Sequence, residues 1–256
     1  MQAADLLAVG CGVFVGFTLG LIGGGGSILA TPMLLYLVGV SPHVAIGTGA
    51  LAVSANAFAN FAAHARVGTV RWATGAVFAA AGVLGAIVGS TLGKAVDGQR
   101  LILLFAGMMV VIGVFMLRPR RGGGTALAPL TPKTASRVAG VGLGVGLVSG
   151  FFGIGGGFLI VPGIIFATGM PTINAIGTSL FAVGAFGLTT AVNYAVSGLV
   201  DWSVALEFIA GGILGGWLGM RAALRLAAQR DTLSRLFAAL IFVVAAYIIW
   251  RSVGPI

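Results

Sequence analysis

The chain has 256 residues, of which 59% are hydrophobic and 7% charged, with a formal net charge of +9. Soluble domains carry about 25% charged residues, so a water-soluble globule is excluded and an integral membrane protein is expected. The surplus of Lys and Arg falls in short loops between apolar segments, as in membrane topology, which argues against a nucleic-acid partner.

The apolar stretches are long and glycine-interrupted, without the alternation of a membrane barrel, so the expected fold is all-α and polytopic. They run over 6–22, 27–39, 43–65, 71–93 and 99–117, then 137–152, 157–169, 173–196, 202–224 and 233–250. The opening "MQAADLLAVG" lacks the basic region of a signal peptide, so its apolar run is expected to be retained. Cys11 is the single cysteine, which leaves no intrachain disulfide or cysteine–metal cluster, and it reads as a small packing residue. Between the two sets lies "RPRRGGGTALAPLTPK" (118–133), basic and rich in Gly and Pro, the composition of a flexible linker. The expected organisation is a first transmembrane repeat over 1–117, a basic cytoplasmic linker over 118–136 and a second repeat over 137–256.

The two sets are copies displaced by 130 residues: "GFTLGLIGGGGSILATP" lies over "GLVSGFFGIGGGFLIVP", "AIGTG" over "AIGTS", and Gly68 and Trp72 over Gly198 and Trp202. About a third of the aligned positions are identical, which marks an internal duplication. Each copy has an odd number of segments, so the two are expected to insert in opposite orientations. With the central linker in the cytoplasm, all basic residues except Lys94, Arg100 and Arg251 fall on the inside, and both termini fall outside. Arg71 becomes Asp201 at the matching loop, as opposite-facing loops require. Inverted-topology repeats of this kind are a plan of secondary transporters, here in a bacterial inner membrane.

The segment 27–39 and its counterpart 157–169 have about 13 residues each, about 20 Å of helix against a hydrocarbon core of about 30 Å. Each follows a glycine run and contains a proline, Pro32 or Pro162. Glycine-interrupted short segments at matching places are the pointer to a transport site. Successive glycines can turn their N–H groups to one point, and a following helix start adds donors. The expected substrate-binding residues are therefore Gly23, Gly24, Gly25, Gly26 and Ser27, with Gly153, Gly155, Gly156 and Gly157 in the second copy. The helix starts "IGTG" and "IGTS" add Thr48, Thr178 and Ser179, and these loops are expected to approach one another near the midplane. A pocket of N–H and hydroxyl groups suits a small oxyanion. Asn56 and Asn60, and Asn193 and Tyr194, either line the cavity or bond between helices. The glycines of "GVLGAIVGSTLG" (82–93) and "GGILGGWLG" (211–219) have the spacing of helix-packing seams.

The five acids are Asp5, Asp97, Asp201, Glu207 and Asp231, and only Glu207 lies well inside an expected span. That scarcity argues against a metal or organic-cation carrier. Glu207 reads as a proton relay or an interfacial acid, and its repeat counterpart is Val77. His43 and His64 are the other coupling candidates, because imidazole titrates near neutral pH. No metal site, cofactor site or enzyme motif appears; "GSTLGKA" has the wrong spacing for a phosphate loop.

The paired "GLIGGGGSILATP" and "GFFGIGGGFLIVP", each followed by "AIGT", resemble the sulfite exporter TauE/SafE family, also called the 4-toluenesulfonate uptake permease family. The resemblance covers nearly the whole chain. It implies a secondary transporter, often an exporter, of sulfite, organosulfonates or related small sulfur-containing anions. Its motif falls on Gly23, Gly25, Gly26 and Pro32, and on Gly153, Gly155, Gly156, Gly157 and Pro162. Ser27 and Gly157 differ between the copies, so a symmetric site is not implied. Coupling to protons or another ion is open, as are the oligomeric state and the alternative of a passive anion channel or a carrier of another small organic anion.

Overall fold

The computed structural model describes residues 3–22, 24–117, 131–153, 157–225 and 230–253, and its secondary structure is entirely helical among these residues. In chain order it has α1 (Ala3–Ile22), a 3-10 turn (Gly24–Leu29), α2 (Ala30–Met33), a π-helical turn (Leu34–Val38), α3 (Pro42–Arg66), α4 (Trp72–Ala95) and α5 (Gly98–Leu117). The second half has α6 (Pro132–Phe152), α7 (Gly157–Thr168), α8 (Thr172–Val196), α9 (Trp202–Arg225) and α10 (Arg230–Val253). Five of these, α3, α4, α6, α8 and α9, are long and apolar enough to cross a membrane. The apolar runs described in the other segments are shorter, from Leu159–Thr168 up to Gly98–Val114.

The bounds follow local chemistry. Gly39 ends the first short helical segment at φ +85°, and its counterpart Gly169 follows α7 at φ +70°, a conformation glycine adopts without a Cβ penalty. Pro42 opens α3 at the first turn, where its missing N–H costs nothing. The helix α6 starts at Pro132, inside the stretch read from sequence as linker. The cause is a Thr-Pro pair: the Thr131 hydroxyl accepts from the Thr134 N–H at 3.3 Å, and Pro132 fixes the first helical φ. Residues 118–130 lie outside the described residues.

Packing runs across the halves: α1 lies against α9, α4 against α6, α3 against α8 and α5 against α10. The first two pairs meet along glycine seams. The space a Cβ would take at Gly16 is filled by backbone of Gly212, and that at Gly146 by backbone of Gly82. Likewise Gly12 meets the Phe208 carbonyl and Gly142 the Phe78 carbonyl, while Gly20 meets that of Gly216 and Gly150 that of Ala86. Each of these contacts has a counterpart displaced by 130 residues in both partners, so the inter-half contacts recur in matched pairs. The seams read from sequence in 82–93 and 211–219 thus sit where two backbones touch, the arrangement small residues permit between membrane helices.

Contrasting neighbours on α6 test this packing. Gly144 has nothing within 4 Å of its Cβ direction, whereas Gly146 faces the Gly82 backbone. Gly144→Ala is expected to leave thermal stability in detergent unchanged or raise it by up to about 1 kcal/mol through helix propensity. Gly146→Ala must push α6 from α4 and is expected to cost about 1–3 kcal/mol, read as a lowered unfolding midpoint.

Candidate functional site

The glycine run does not remain an open loop. Gly24, Gly25 and Gly26 wind into the 3-10 turn that ends at Leu29, so helical backbone starts three residues before the expected segment. The tight, eclipsed 3-10 geometry suits residues without Cβ atoms. Pro32 then falls within α2 and the chain relaxes through the π turn. In the second half Gly153 caps α6 at φ +66°, Gly157 opens α7, and Pro162 lies inside it. Gly23, Ile154, Gly155 and Gly156 lie outside the described residues. The two broken regions are neighbours, because the turn Gly24–Leu29 packs against α7. Ser27 is fully buried there.

The start of α3 sits between the two breaks. Ile46 fills the space beside Gly153, and Gly49 faces Thr31 of α2, whose Oγ1 lies 3.7 Å from the position a Cβ would take at Gly49. The start of α8 is likewise next to α7 and the turn Gly24–Leu29. These two helix starts are not close to each other. The helices run antiparallel, with Gly47 against Tyr194, Gly187 against Ala50 and Gly184 against Phe58. They cross where the Ser54 hydroxyl donates to the Gly184 carbonyl at 2.7 Å, and these two positions are counterparts. Thr48 and Thr178 each lie six residues from that crossing, on opposite sides, which puts them about 18 Å apart along the pair. A single small ion cannot touch both, so the approach of the "IGT" loops expected from sequence is not what the helices allow; the breaks meet, but the threonines do not.

Both threonines already have structural partners. The Asp201 N–H donates to Thr48 Oγ1 at 2.9 Å, and the Arg71 N–H donates to Thr178 Oγ1 at 2.9 Å. These are counterpart bonds, each pinning an interhelical loop of one half to a helix start of the other. Each hydroxyl keeps a hydrogen to donate. Ser179 is committed locally, donating to the Ile176 carbonyl at 2.8 Å.

Asn56 is 1% exposed, lies beside Gly212, and neither atom of its carboxamide has a hydrogen-bond partner. Its backbone carbonyl accepts from Asn60 Nδ2 at 2.9 Å. The counterpart of Asn56 is Phe186, which stacks on Phe78 with ring centroids 6.1 Å apart. The buried hydroxyls of Thr31, Ser149 and Thr190 are also without partners. An unpartnered buried polar group costs about 1–3 kcal/mol, so each is a group to which a ligand could bond; Thr31 directly follows the first break and Ser149 lies in the last turn of α6 before the second.

The coupling candidates are dispersed. His43 and His64 stand near opposite ends of α3, about 31 Å apart along its axis. His43 Nε2 lies 3.2 Å from the Val96 carbonyl, and His64 Nδ1 lies 3.0 Å from Thr69 Oγ1. Glu207 is half-buried on α9.

One polar cluster was missed by sequence reading. Lys94 at the end of α4 donates to the Asn193 carbonyl (3.0 Å), Asn193 Oδ1 (2.7 Å) and Ser197 Oγ (2.8 Å) at the end of α8. Asn193 Nδ2 in turn donates to Ser90 Oγ at 2.6 Å. Asn193 therefore bonds between helices, the second of its two sequence-based readings. The available signal was a cation in the last turn of a helix, which favours carbonyl acceptors at helix C-termini.

Comparison with known proteins matches residues 8–248 to the model of the family "Sulfite exporter TauE/SafE". A "Probable membrane transporter protein" of Xylella fastidiosa (strain 9a5c) is 55% identical over 249 residues, covering 96% of this chain and 95% of that protein. "Probable membrane transporter protein YunE" of Bacillus subtilis (strain 168) is 27% identical over 270 residues, covering 97% and 98% respectively. No solved structure matches the chain.

The loop-pinning bonds give a stability prediction. Thr48→Val and Thr178→Val each strand a backbone N–H and are expected to cost about 1–3 kcal/mol. Because the sites are about 18 Å apart, the double variant should show additive losses within about 0.5 kcal/mol in unfolding measurements.

Proposed function

We propose that this chain, which belongs to the sulfite exporter TauE/SafE family, is a secondary transporter of sulfite, organosulfonates or related small sulfur-containing anions. Membership makes it an integral membrane transporter; substrate, mechanism and orientation are the proposal. The observation that carries it is the turn Gly24–Leu29 of the first break packed against α7, the short helix after the second, with the buried hydroxyls of Ser27, Thr31, Thr48 and Thr178, in a chain with five acids and fourteen basic residues. Hydroxyl and N–H donors with little formal negative charge suit an oxyanion better than a cation.

The proposed binding residues are Gly24, Gly25, Gly26 and Ser27 from the first break, Gly153 and Gly157 from the second, and Thr48, Thr178, Ser179 and Asn56 beside them. Gly23, Gly155 and Gly156 are proposed on sequence alone. Since Thr48 and Thr178 are separated, the two ends of the α3–α8 pair serve as successive subsites in this reading.

The halves are proposed to be inverted repeats in the inner membrane, with the linker cytoplasmic, both termini outside and alternating access between them. The recurrence of inter-half contacts at a displacement of 130 supports this, as does the uneven distribution of basic residues. A proton or other ion gradient drives transport, with His43, His64 and Glu207 as the residues to test.

The experiment is counterflow in proteoliposomes with sulfite, thiosulfate, sulfate, a sulfonate and a carboxylate, with and without a proton gradient. Accumulation of a sulfur oxyanion is expected, and accumulation of the carboxylate alone would overturn the substrate class. Unit-conductance steps in a planar bilayer would replace the carrier by a channel. Gly25→Val is expected to abolish sulfite flux while the protein still inserts, because a β-branched side chain does not fit the tight glycine turn; normal flux in this variant removes the break from the site.

A further inference from the structure

The two halves have the same backbone plan, so positions where they differ in polarity show where the halves can bond an ion differently. Thr31 is one such position. It is 1% exposed, sits in α2 directly after the first break, and its counterpart is Val161. Valine and threonine have nearly the same shape, so the methyl-for-hydroxyl exchange alters chemistry at almost constant packing.

The Thr31 hydroxyl is idle, as is that of Thr190 in α8, whereas several other helical threonines of this chain are bonded to their own helix. A helical threonine ordinarily donates to the carbonyl three or four residues before it. Thr18 donates to the Val15 carbonyl at 2.9 Å, Thr168 to Ile164 at 2.7 Å and Thr189 to Ala185 at 2.8 Å. Thr31 Oγ1 has no such bond although it is fully shielded. It lies 3.7 Å from the position a Cβ would take at Gly49 at the start of α3, beside the side chains of Leu34 and Ala30. In the second half the arrangement is exchanged: Ser179 takes the place of Gly49 and Val161 that of Thr31. Ser179 is spent on the Ile176 carbonyl. Asn56 adds to the imbalance, since it lies seven residues beyond Gly49 on the same face of α3, with its carboxamide unpartnered and with phenylalanine as its counterpart.

We propose that the Thr31 hydroxyl is a substrate ligand, donating a hydrogen bond to an oxygen of the transported oxyanion, a role that its counterpart Val161 cannot share. This rests on the reading of the chain as an oxyanion transporter. It adds a side chain that the sequence reading did not single out within the first motif.

The test uses the full chain, with sulfite as the probe, in two measurements: the KM and Vmax of counterflow, and the rise in unfolding temperature that sulfite produces in detergent. In Thr31→Val the sulfite KM is expected to rise about tenfold or more, the effect of losing one hydrogen bond to an ion. The unfolding temperature without sulfite should stay level or rise, because a buried hydroxyl without a partner is removed. Thr31→Ser keeps the donor and should retain KM within about threefold. Val161→Thr, which adds a hydroxyl at the α8 end, should leave KM near that of the unsubstituted chain. An unchanged KM and sulfite response in Thr31→Val overturns the assignment. So does a lowered unfolding temperature in both Thr31 variants with KM unaltered, which is the mark of a packing role. If the unsubstituted chain neither moves nor responds to sulfite, thiosulfate or sulfate, the oxyanion-transporter reading itself falls and this assignment falls with it.

Discussion

A helix broken within a bilayer must be walled in by protein, because hydrocarbon offers nothing to a bare N–H or C=O. Much of this fold follows from that constraint. The segment around Pro32 begins with a 3-10 turn, and this turn and α7 both have helices packed around them. The turn Gly24–Leu29 lies against α1, α7 and α8, and α7 lies against α6 and α8. The walls stand close because α1 meets α9 and α4 meets α6 through glycines whose missing side chains let one backbone touch the next. Glycine therefore serves two purposes, clustered where the helix is interrupted and spaced by about one turn where helices must approach.

The duplication then sets up a contrast between what is shared and what is not. Contacts that build the frame occur twice: Gly16 with Gly212 and Gly146 with Gly82, or the Thr48–Asp201 and Arg71–Thr178 bonds. Polar groups without frame partners occur in both halves but not at matched positions. Asn56 and Thr31 have Phe186 and Val161 as counterparts, while the Lys94 cluster has Leu224 at its centre position in the other half. A frame under duplicate constraint with unduplicated polar groups is what a shared scaffold bearing one specialised site looks like.

Much of the frame was legible in the sequence, and the reason is periodicity. Ten apolar segments, their order and the displacement of 130 residues follow from the sequence pattern, and the helices α3, α8 and α9 begin and end within one residue of those limits and α4 within two. The start of α6 was missed although Thr131 and Pro132 carried the signal, because apolar runs reveal buried length and not capping. The 3-10 winding of Gly24–Gly26 was not legible, since glycine permits many backbone forms and tertiary contacts choose among them. The Lys94 cluster joins residues about 100 positions apart, which no local pattern encodes. Thr31 was invisible for a different reason: a threonine in an apolar helix reads as self-bonded, and only the coordinates show that Thr31 and Thr190 are not.

The chemistry of the proposed site also bears on why it lacks charge. A buried arginine facing an oxyanion would attract it strongly at low dielectric, and release would then be slow. A carrier must let go on every cycle, so its bound state cannot lie far below its free states. Neutral donors meet that need: each replaces part of the hydration shell of the ion, and none adds a full opposite charge. Hydroxyls and carboxamides also lose less on desolvation than a guanidinium does. Of the basic residues that do occur, Arg66 stands at the end of α3, and Arg71, whose backbone N–H is bonded to Thr178 and whose Nε is buried without a partner, brings a single positive charge to the edge of the proposed site.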